Sequence, residues 1–142
     1  MKVIVDTNIA FSAMLNRSRN ISQLLFRQKL DLDLYAPELL LVELARYRNR
    51  IQQLGGLSDQ QFESAFDELA QRIQIVEEHT IAAEFWLEAV RLVGDIDVDD
   101  VAFVALTLSI PQAKLRTGDK RLFACLISKG FTRAITTQDI GG

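Results

Sequence analysis

Hydrophobic and polar positions along the chain switch repeatedly between a strand-like and a helix-like rhythm. Val3-Ile4-Val5 is a continuous, β-branched apolar run that leads into helix-forming sequence, which predicts a buried parallel strand. Thr7 and Asn8 are good caps for the helix that follows, over residues 9–15. A polar break, Asn16-Arg17-Ser18-Arg19-Asn20, precedes a second helix over about residues 21–29, with Asn20 as its cap and Leu24, Leu25 and Phe26 on its core face. Leu32, Leu34 and Tyr35 predict a second strand ended by Ala36-Pro37, and Pro37 suits the first position of a helix. That helix, over about residues 38–53, spaces Leu40, Leu41, Leu44 and Tyr47 helically and stops at Gly55-Gly56.

Ser58 with Gln61 three residues on reads as a capping box. It opens a helix to about residue 72 with Phe62, Phe66 and Leu69 facing inward. Ile73, Ile75 and Val76 alternate as a third strand. Thr80 is expected to cap the next helix, with Ile81, Phe85, Leu87 and Val90 in the core, Trp86 core or interface, and Gly94 at its end. The acidic loop Asp95-Ile96-Asp97-Val98-Asp99-Asp100 leads into residues 101–108, which are apolar on every side and so predict a buried helix. Pro111 closes it. Residues 113–116 form a short fourth strand, residues 122–129 a helix closed by Gly130, and Ala134-Ile135-Thr136 a last strand. Strands alternating with helices imply an α/β fold, a three-layer α/β/α sandwich around a parallel sheet of about five strands.

Composition narrows the class without naming a function. The 142 residues suit one domain over 1–142, with 49% hydrophobic and 25% charged residues, ordinary for a globular chain. No apolar run approaches ~18 residues, so no membrane span is expected, and the start shows no signal-peptide pattern. The single Cys125 cannot close an internal disulfide, which fits a reducing cytoplasm; within its helical apolar pattern it reads as a buried structural thiol. A net charge of −3 does not announce a nucleic-acid binder, so any such binding must come from local patches.

The chemistry lies in the acids. Asp6 ends the first strand, Asp119 follows the fourth, Asp100 heads the buried helix, and Glu43 lies one and a half turns into the helix after strand two. Ligands of open α/β sheets sit outside the carboxyl ends of the strands, so these side chains share one pocket if strands one and four are neighbours. Two carboxylates ~5 Å apart repel by roughly 3 kcal/mol at an effective dielectric of 20. A cluster of four therefore needs a cation or raised pKa values. Oxygen-only donors suit Mg²⁺ or Mn²⁺ over Zn²⁺, and the matching substrate is a phosphodiester.

Asp6-Thr7-Asn8 after an N-terminal strand, and Glu43 within Pro37-Glu38-Leu39-Leu40-Leu41-Val42-Glu43-Leu44, resemble the opening motifs of PIN domains. Asp97 to Asp100 followed by Val101-Ala102-Phe103-Val104-Ala105-Leu106, then Thr117-Gly118-Asp119-Lys120-Arg121-Leu122, resemble their second half. The resemblance spans nearly the whole chain and is nearest to the VapC-like toxins of prokaryotic toxin–antitoxin pairs. It implies a five-stranded parallel sheet and a metal-dependent ribonuclease, with Asp6, Glu43, Asp100 and Asp119 as catalytic acids holding one or two Mg²⁺ or Mn²⁺ ions. Asn8 and Thr117 orient those acids in this reading, and Asp97 is a further candidate for a ligand or water-positioning role. The resemblance also implies an RNA substrate, an antitoxin partner that buries apolar surface near the site, and a homodimer, for which the helices around Phe62 to Leu69 and Phe85 to Val90 are candidates.

Other residues complete the picture. Asp99 is most simply a solvated N-cap, and Glu38 a helix-dipole partner. His79 reads as an exposed loop histidine. Arg46, Arg48 and Arg50 follow Glu43, with Arg46 and Arg50 on one face; Lys114, Arg116, Lys120 and Arg121 flank Asp119, and Arg17 and Arg19 lie in the first loop. Of these, Arg46, Lys120 and Arg121 are the candidate RNA contacts. Two other classes compete: a PIN-like protein- or RNA-binding module with weak or no turnover, and a phosphatase-like or receiver-like phosphotransfer domain. The last wants a second Asp two residues after Asp6, where Asn8 stands, or an acid pair before it, which is missing.

Overall fold

The computed structural model describes residues 1–15 and 32–135. The helix expected over residues 21–29, with Asn20, Leu24, Leu25 and Phe26, lies outside the described residues, as do Arg17, Arg19 and Thr136. In chain order the described elements are β1 (Lys2–Val5), α1 (Thr7–Leu15), β2 (Asp33–Pro37), α2 (Leu39–Arg46), α3 (Arg48–Gly55), α4 (Asp59–Arg72), β3 (Gln74–Val76), α5 (Ala83–Val93), α6 (Val101–Ser109), β4 (Lys114–Arg116), α7 (Lys120–Ser128) and β5 (Ala134–Ile135). Single 3-10 turns, Glu78–Thr80 and Val98–Asp100, precede α5 and α6.

The five strands form one parallel sheet in the order β3-β2-β1-β4-β5. β1 is the centre, fully buried at Val3, Ile4 and Val5, as the unbroken apolar run required. The chain winds outward from β1 to β3, then returns to pair β4 on the other side of β1. Strand order therefore reverses between β1 and β4, and such switch points open a crevice at the carboxyl ends of the strands. α6 packs against β1, β2 and β4, with α5 over it, while α1 packs with α2, α3 and α4. Residues 101–107 are all buried in α6, and the one hydroxyl among them, Thr107, is satisfied by donating to the Phe103 carbonyl at 2.8 Å. Burying a Leu, Ile or Phe contributes roughly 1.5–3 kcal/mol, and Leu40, Leu44, Ile51, Leu69, Leu115, Leu122 and Leu126 do so completely or nearly so.

Several local expectations need correcting. The long helix expected over residues 38–53 bends at Tyr47 (φ −92°, ψ 13°) into α2 and α3, although Tyr47 N–H still donates to the Glu43 carbonyl and Ile51 N–H to that of Tyr47. Arg46 and Arg50 thus lie on different helices. Pro37 ends β2 instead of opening α2, because β2 still pairs with β3 at that residue. Glu38 stands at the N-cap of α2 but makes no side-chain cap bond there. Its carboxylate accepts from Glu78 N–H at 3.0 Å while Glu78 accepts from Leu39 N–H at 2.9 Å, so two acids forty residues apart clasp two turns together.

Thr80 belongs to a 3-10 turn and donates its hydroxyl to the Glu77 carbonyl, so it does not cap α5. Leu87 and Val90, expected in the core, are 72% and 54% exposed. The buried stripe of α5 is Ala89, Leu92 and Val93, with Phe85 and Trp86 partly buried on it, a phase shifted from the apolar pattern. Phe62 and Leu69 are buried within α4, as expected of its inward face. The capping box is present, with Ser58 and Gln61 each accepting from the other's backbone N–H. Cys125 is half-buried, its thiol 3.6 Å from the Leu92 carbonyl. No helix among the described residues is long and apolar enough to cross a membrane.

Candidate active site

Asp6 leaves β1 and immediately begins α1. Its Oδ1 accepts from Ile9 N–H at 2.9 Å, so Asp6, not Thr7 or Asn8, caps the helix. The Thr117 hydroxyl and Gly118 N–H also donate to this carboxylate, tying the ends of β1 and β4 together. At 5% exposure, burial pushes its pKa up, the Asp119 charge adds to that, and the Thr117, Ile9 and Gly118 bonds oppose it.

Glu43 enters from α2 on the buried side that also holds Leu40 and Leu44. Its Oε1 accepts from the Thr7 hydroxyl at 2.6 Å. Burial raises its pKa, the Asp99 and Asp97 charges add to this, and Thr7 and Arg46 act the other way.

Asp119 is the N-cap of α7, with Oδ1 accepting from Arg121 and Leu122 N–H at 2.9 and 3.1 Å. Its own N–H donates to Thr117 Oγ1 at 3.0 Å. The 2%-exposed Thr117 therefore joins Asp6 to Asp119, one neighbour accepting its proton and the other donating to its oxygen.

Asp100 stands where the 3-10 turn meets α6, and its side chain makes no cap bond. Desolvation pushes its pKa up to about 7, reinforced by the charges of Asp97, Asp119, Asp6 and Glu43. Asp97 is the residue that caps the turn, accepting from Asp99 N–H at 2.9 Å. Asp99, expected as a solvated cap, instead helps line the cavity. Asp95 is separate, pairing with Lys129 at 3.3 Å.

These side chains meet in a cavity of about 140 Å³ lined by Asp6, Glu43, Asp97, Asp99, Asp100, Asp119, Thr7, Asn8, Tyr47 and Phe103. All four acids singled out in the sequence are present, because β1 and β4 are neighbours. Thr7 was missed as a site residue: a threonine after a strand-terminal acid reads as a cap, and only the fold reveals its bond to a residue 36 positions away. Asn8 lines the cavity without a hydrogen bond to the acids among the described residues.

The donor set is oxygen alone, which fits a hard divalent cation. No three carboxylates among the described residues stand together as a finished cage.

Of the cations, Arg46 is exposed beside Glu43, and Lys120 and Arg121 are exposed at the start of α7. Lys114 begins β4, at the end of the strand away from the cavity, and Arg116 is 6% exposed, so neither is a rim contact. Arg48 is engaged by Asp59, Glu63 and Gln52 and lies 4.7 Å over the Phe62 ring. His79 is exposed, 3.4 Å from Glu77.

The family model described as PIN domain matches residues 4–139. The fold is similar to that of a chain in the crystal structure of VapBC2 from Rickettsia felis bound to a DNA fragment from their promoter, with a TM-score of 0.66 and 15% identity over 96% of this chain and 98% of that one. It is also similar to a chain of VapBC-1 from nontypeable Haemophilus influenzae, with a TM-score of 0.63 and 20% identity over 97% and 99% of the two chains. No curated protein sequence matches the chain.

Proposed function

Because the chain belongs to the PIN domain family, we propose that it is a Mg²⁺- or Mn²⁺-dependent endoribonuclease and the toxin of a cytoplasmic toxin–antitoxin pair. The observation that carries this reading is the convergence of Asp6, Glu43, Asp100 and Asp119 from separate elements on one cavity, with Asp100 raised to about 7 by its burial and by the other acids. Such a site is short of positive charge, and a bound divalent cation neutralises it, polarises a phosphate and activates water.

The protein's own groups divide the remaining work. Asp6, Glu43, Asp100 and Asp119 supply the oxygen donors. Asp6 is held by three donors and Asp119 by two backbone N–H groups on Oδ1, so Oδ2 of Asp119 is left to face a ligand. Thr117 fixes these two acids relative to each other. Asp97 shapes the turn that presents Asp100, and Asn8 offers an amide at the rim. Arg46, Lys120 and Arg121 meet RNA phosphates approaching the acidic cavity.

The structures similar in fold are of VapBC2 and VapBC-1, which supports a protein partner of the antitoxin kind. Val42 and Val98, 52% and 74% exposed and next in sequence to Glu43 and to Asp97 and Asp99, offer apolar surface for it. The exposed Leu87 and Val90 of α5 support a homodimer through that helix.

The test is cleavage of a mixed single-stranded and structured RNA panel with Mn²⁺, Mg²⁺ or EDTA, beside the Asp6→Asn and Asp119→Asn proteins. Asparagine keeps an oxygen for each helix cap, so loss of cleavage in folded variants reports on the site. Metal-dependent cleavage lost in both supports the proposal. Folded protein that neither cleaves nor binds Mn²⁺ favours a pure binding module.

A further inference from the structure

The four acids are anchored very unequally. Asp6 accepts three hydrogen bonds, Asp119 two from backbone N–H groups, and Asp100 none as a cap. Glu43 depends on one: the Thr7 hydroxyl, 2.6 Å from Oε1. It is also the longest of the four side chains, with the most rotamer freedom to lose. Thr7 is the first residue of α1, and because Asp6 takes the cap, its side chain is free to reach across to α2. The hydroxyl has one proton, and donating it to Oε1 leaves Oε2 with no protein donor among the described residues, in a side chain that lines the cavity.

We propose that Thr7 is the positioning residue of Glu43, fixing its carboxylate so that Oε2 faces the cavity and thereby setting the affinity of the site for a divalent cation. This rests on the metal-dependent reading of the acids. Groups that orient metal ligands by hydrogen bonds typically alter metal affinity by about 10–100-fold when removed. Threonine to valine keeps the shape and deletes the donor, whereas serine keeps the donor.

The experiment is calorimetric titration with Mn²⁺ alone of wild type, Thr7→Ser, Thr7→Val, Glu43→Gln, Thr7→Val/Glu43→Gln and Asp6→Asn, with thermal unfolding of each metal-free protein alongside. The expected result is a roughly 10–100-fold weaker Kd in Thr7→Val, a near wild-type Kd in Thr7→Ser, and no further weakening when Thr7→Val is added to Glu43→Gln. Equal binding by Thr7→Val and wild type overturns the inference, as does equal loss in the serine and valine proteins. If wild type binds no Mn²⁺, or binds it regardless of Asp6→Asn, the nuclease reading itself falls. Binding that needs Asp6 but ignores Thr7 removes only the role of Thr7.

Discussion

Asp100→Asn should make the metal-free protein more stable at neutral pH while abolishing the proposed metal-dependent cleavage. The folded pKa of Asp100 is raised to about 7 by burial and by Asp97, Asp119, Asp6 and Glu43, against about 3.9 in an unfolded chain. The fold therefore prefers the protonated acid. That contribution is complete below about pH 4 and is lost as pH rises through 7. About three pH units at 1.36 kcal/mol each set an upper bound near 4 kcal/mol, and partial exposure with solvent screening reduces this to about 1–2 kcal/mol. The replacement amide carries no charge, and no cap is lost because Asp100 makes no cap bond. Thermal and urea unfolding from pH 5 to 8, without metal, should give the variant a flatter pH dependence and an unfolding temperature roughly 3–8 °C higher at pH 7.5. Millimolar Mn²⁺ should stabilise wild type far more than the variant, since ligand binding to the fold adds stability. The reasoning is refuted if wild type gains stability between pH 5 and 7.5 relative to the variant, or if Asp100→Asn is the less stable protein at pH 7.5.

Other consequences are more local. Glu78→Ala, which removes the acceptor for Leu39 N–H, should lower unfolding stability by about 1 kcal/mol and leave RNA cleavage intact, as urea titration and the cleavage assay would report. Leu115→Ala, at a fully buried position of β4, should lower stability by about 2–5 kcal/mol, read by urea unfolding. Leu87→Lys should shift a dimer to monomer in light scattering with cleavage per chain retained, if α5 is the dimer surface.

The fold was legible where one physical rule dominated. β1 and α6 are apolar on all sides and can only be buried. Ser58 and Gln61 cap reciprocally whatever else happens. Legibility failed where two rules competed. Leu87 and Val90 belong to an apolar-rich helix with more than one available inward phase, and packing on α6 chose the stripe through Ala89 and Leu92. The bend at Tyr47 leaves flanking hydrogen bonds intact and carries no glycine or proline, so nothing local marks it. Glu38 and Glu78 satisfy each other's turns across forty residues, which no local pattern encodes. Of the site, the acids at strand ends were readable because a parallel sheet sends its carboxyl ends to one edge. Of their supports, Thr117 was implied by the family resemblance, although its link between Asp6 and Asp119 forms only once β1 and β4 are neighbours; Thr7 was not readable, because it reaches Glu43 only once α1 and α2 are packed.

For Asp6 and Asp119, capping a helix and lining the cavity go together. One carboxylate oxygen of Asp6 accepts from Ile9 N–H, and one of Asp119 accepts from Arg121 and Leu122 N–H. Each helix start needs an acceptor there, and each acid needs a fixed orientation, so a single interaction meets both needs. Glu43 and Asp100 sit inside or behind their turns and lack that arrangement. One borrows Thr7, and the other rests on its neighbours' charges and a raised proton affinity. This asymmetry predicts how substitutions separate: asparagine at Asp6 or Asp119 leaves helix capping in place while changing the cavity, asparagine at Asp100 relieves the fold, and valine at Thr7 unlocks Glu43 without touching a cap. A site that was only structural would show the same stabilities, and what marks a metal site is that Mn²⁺ binding weakens at every one of these positions.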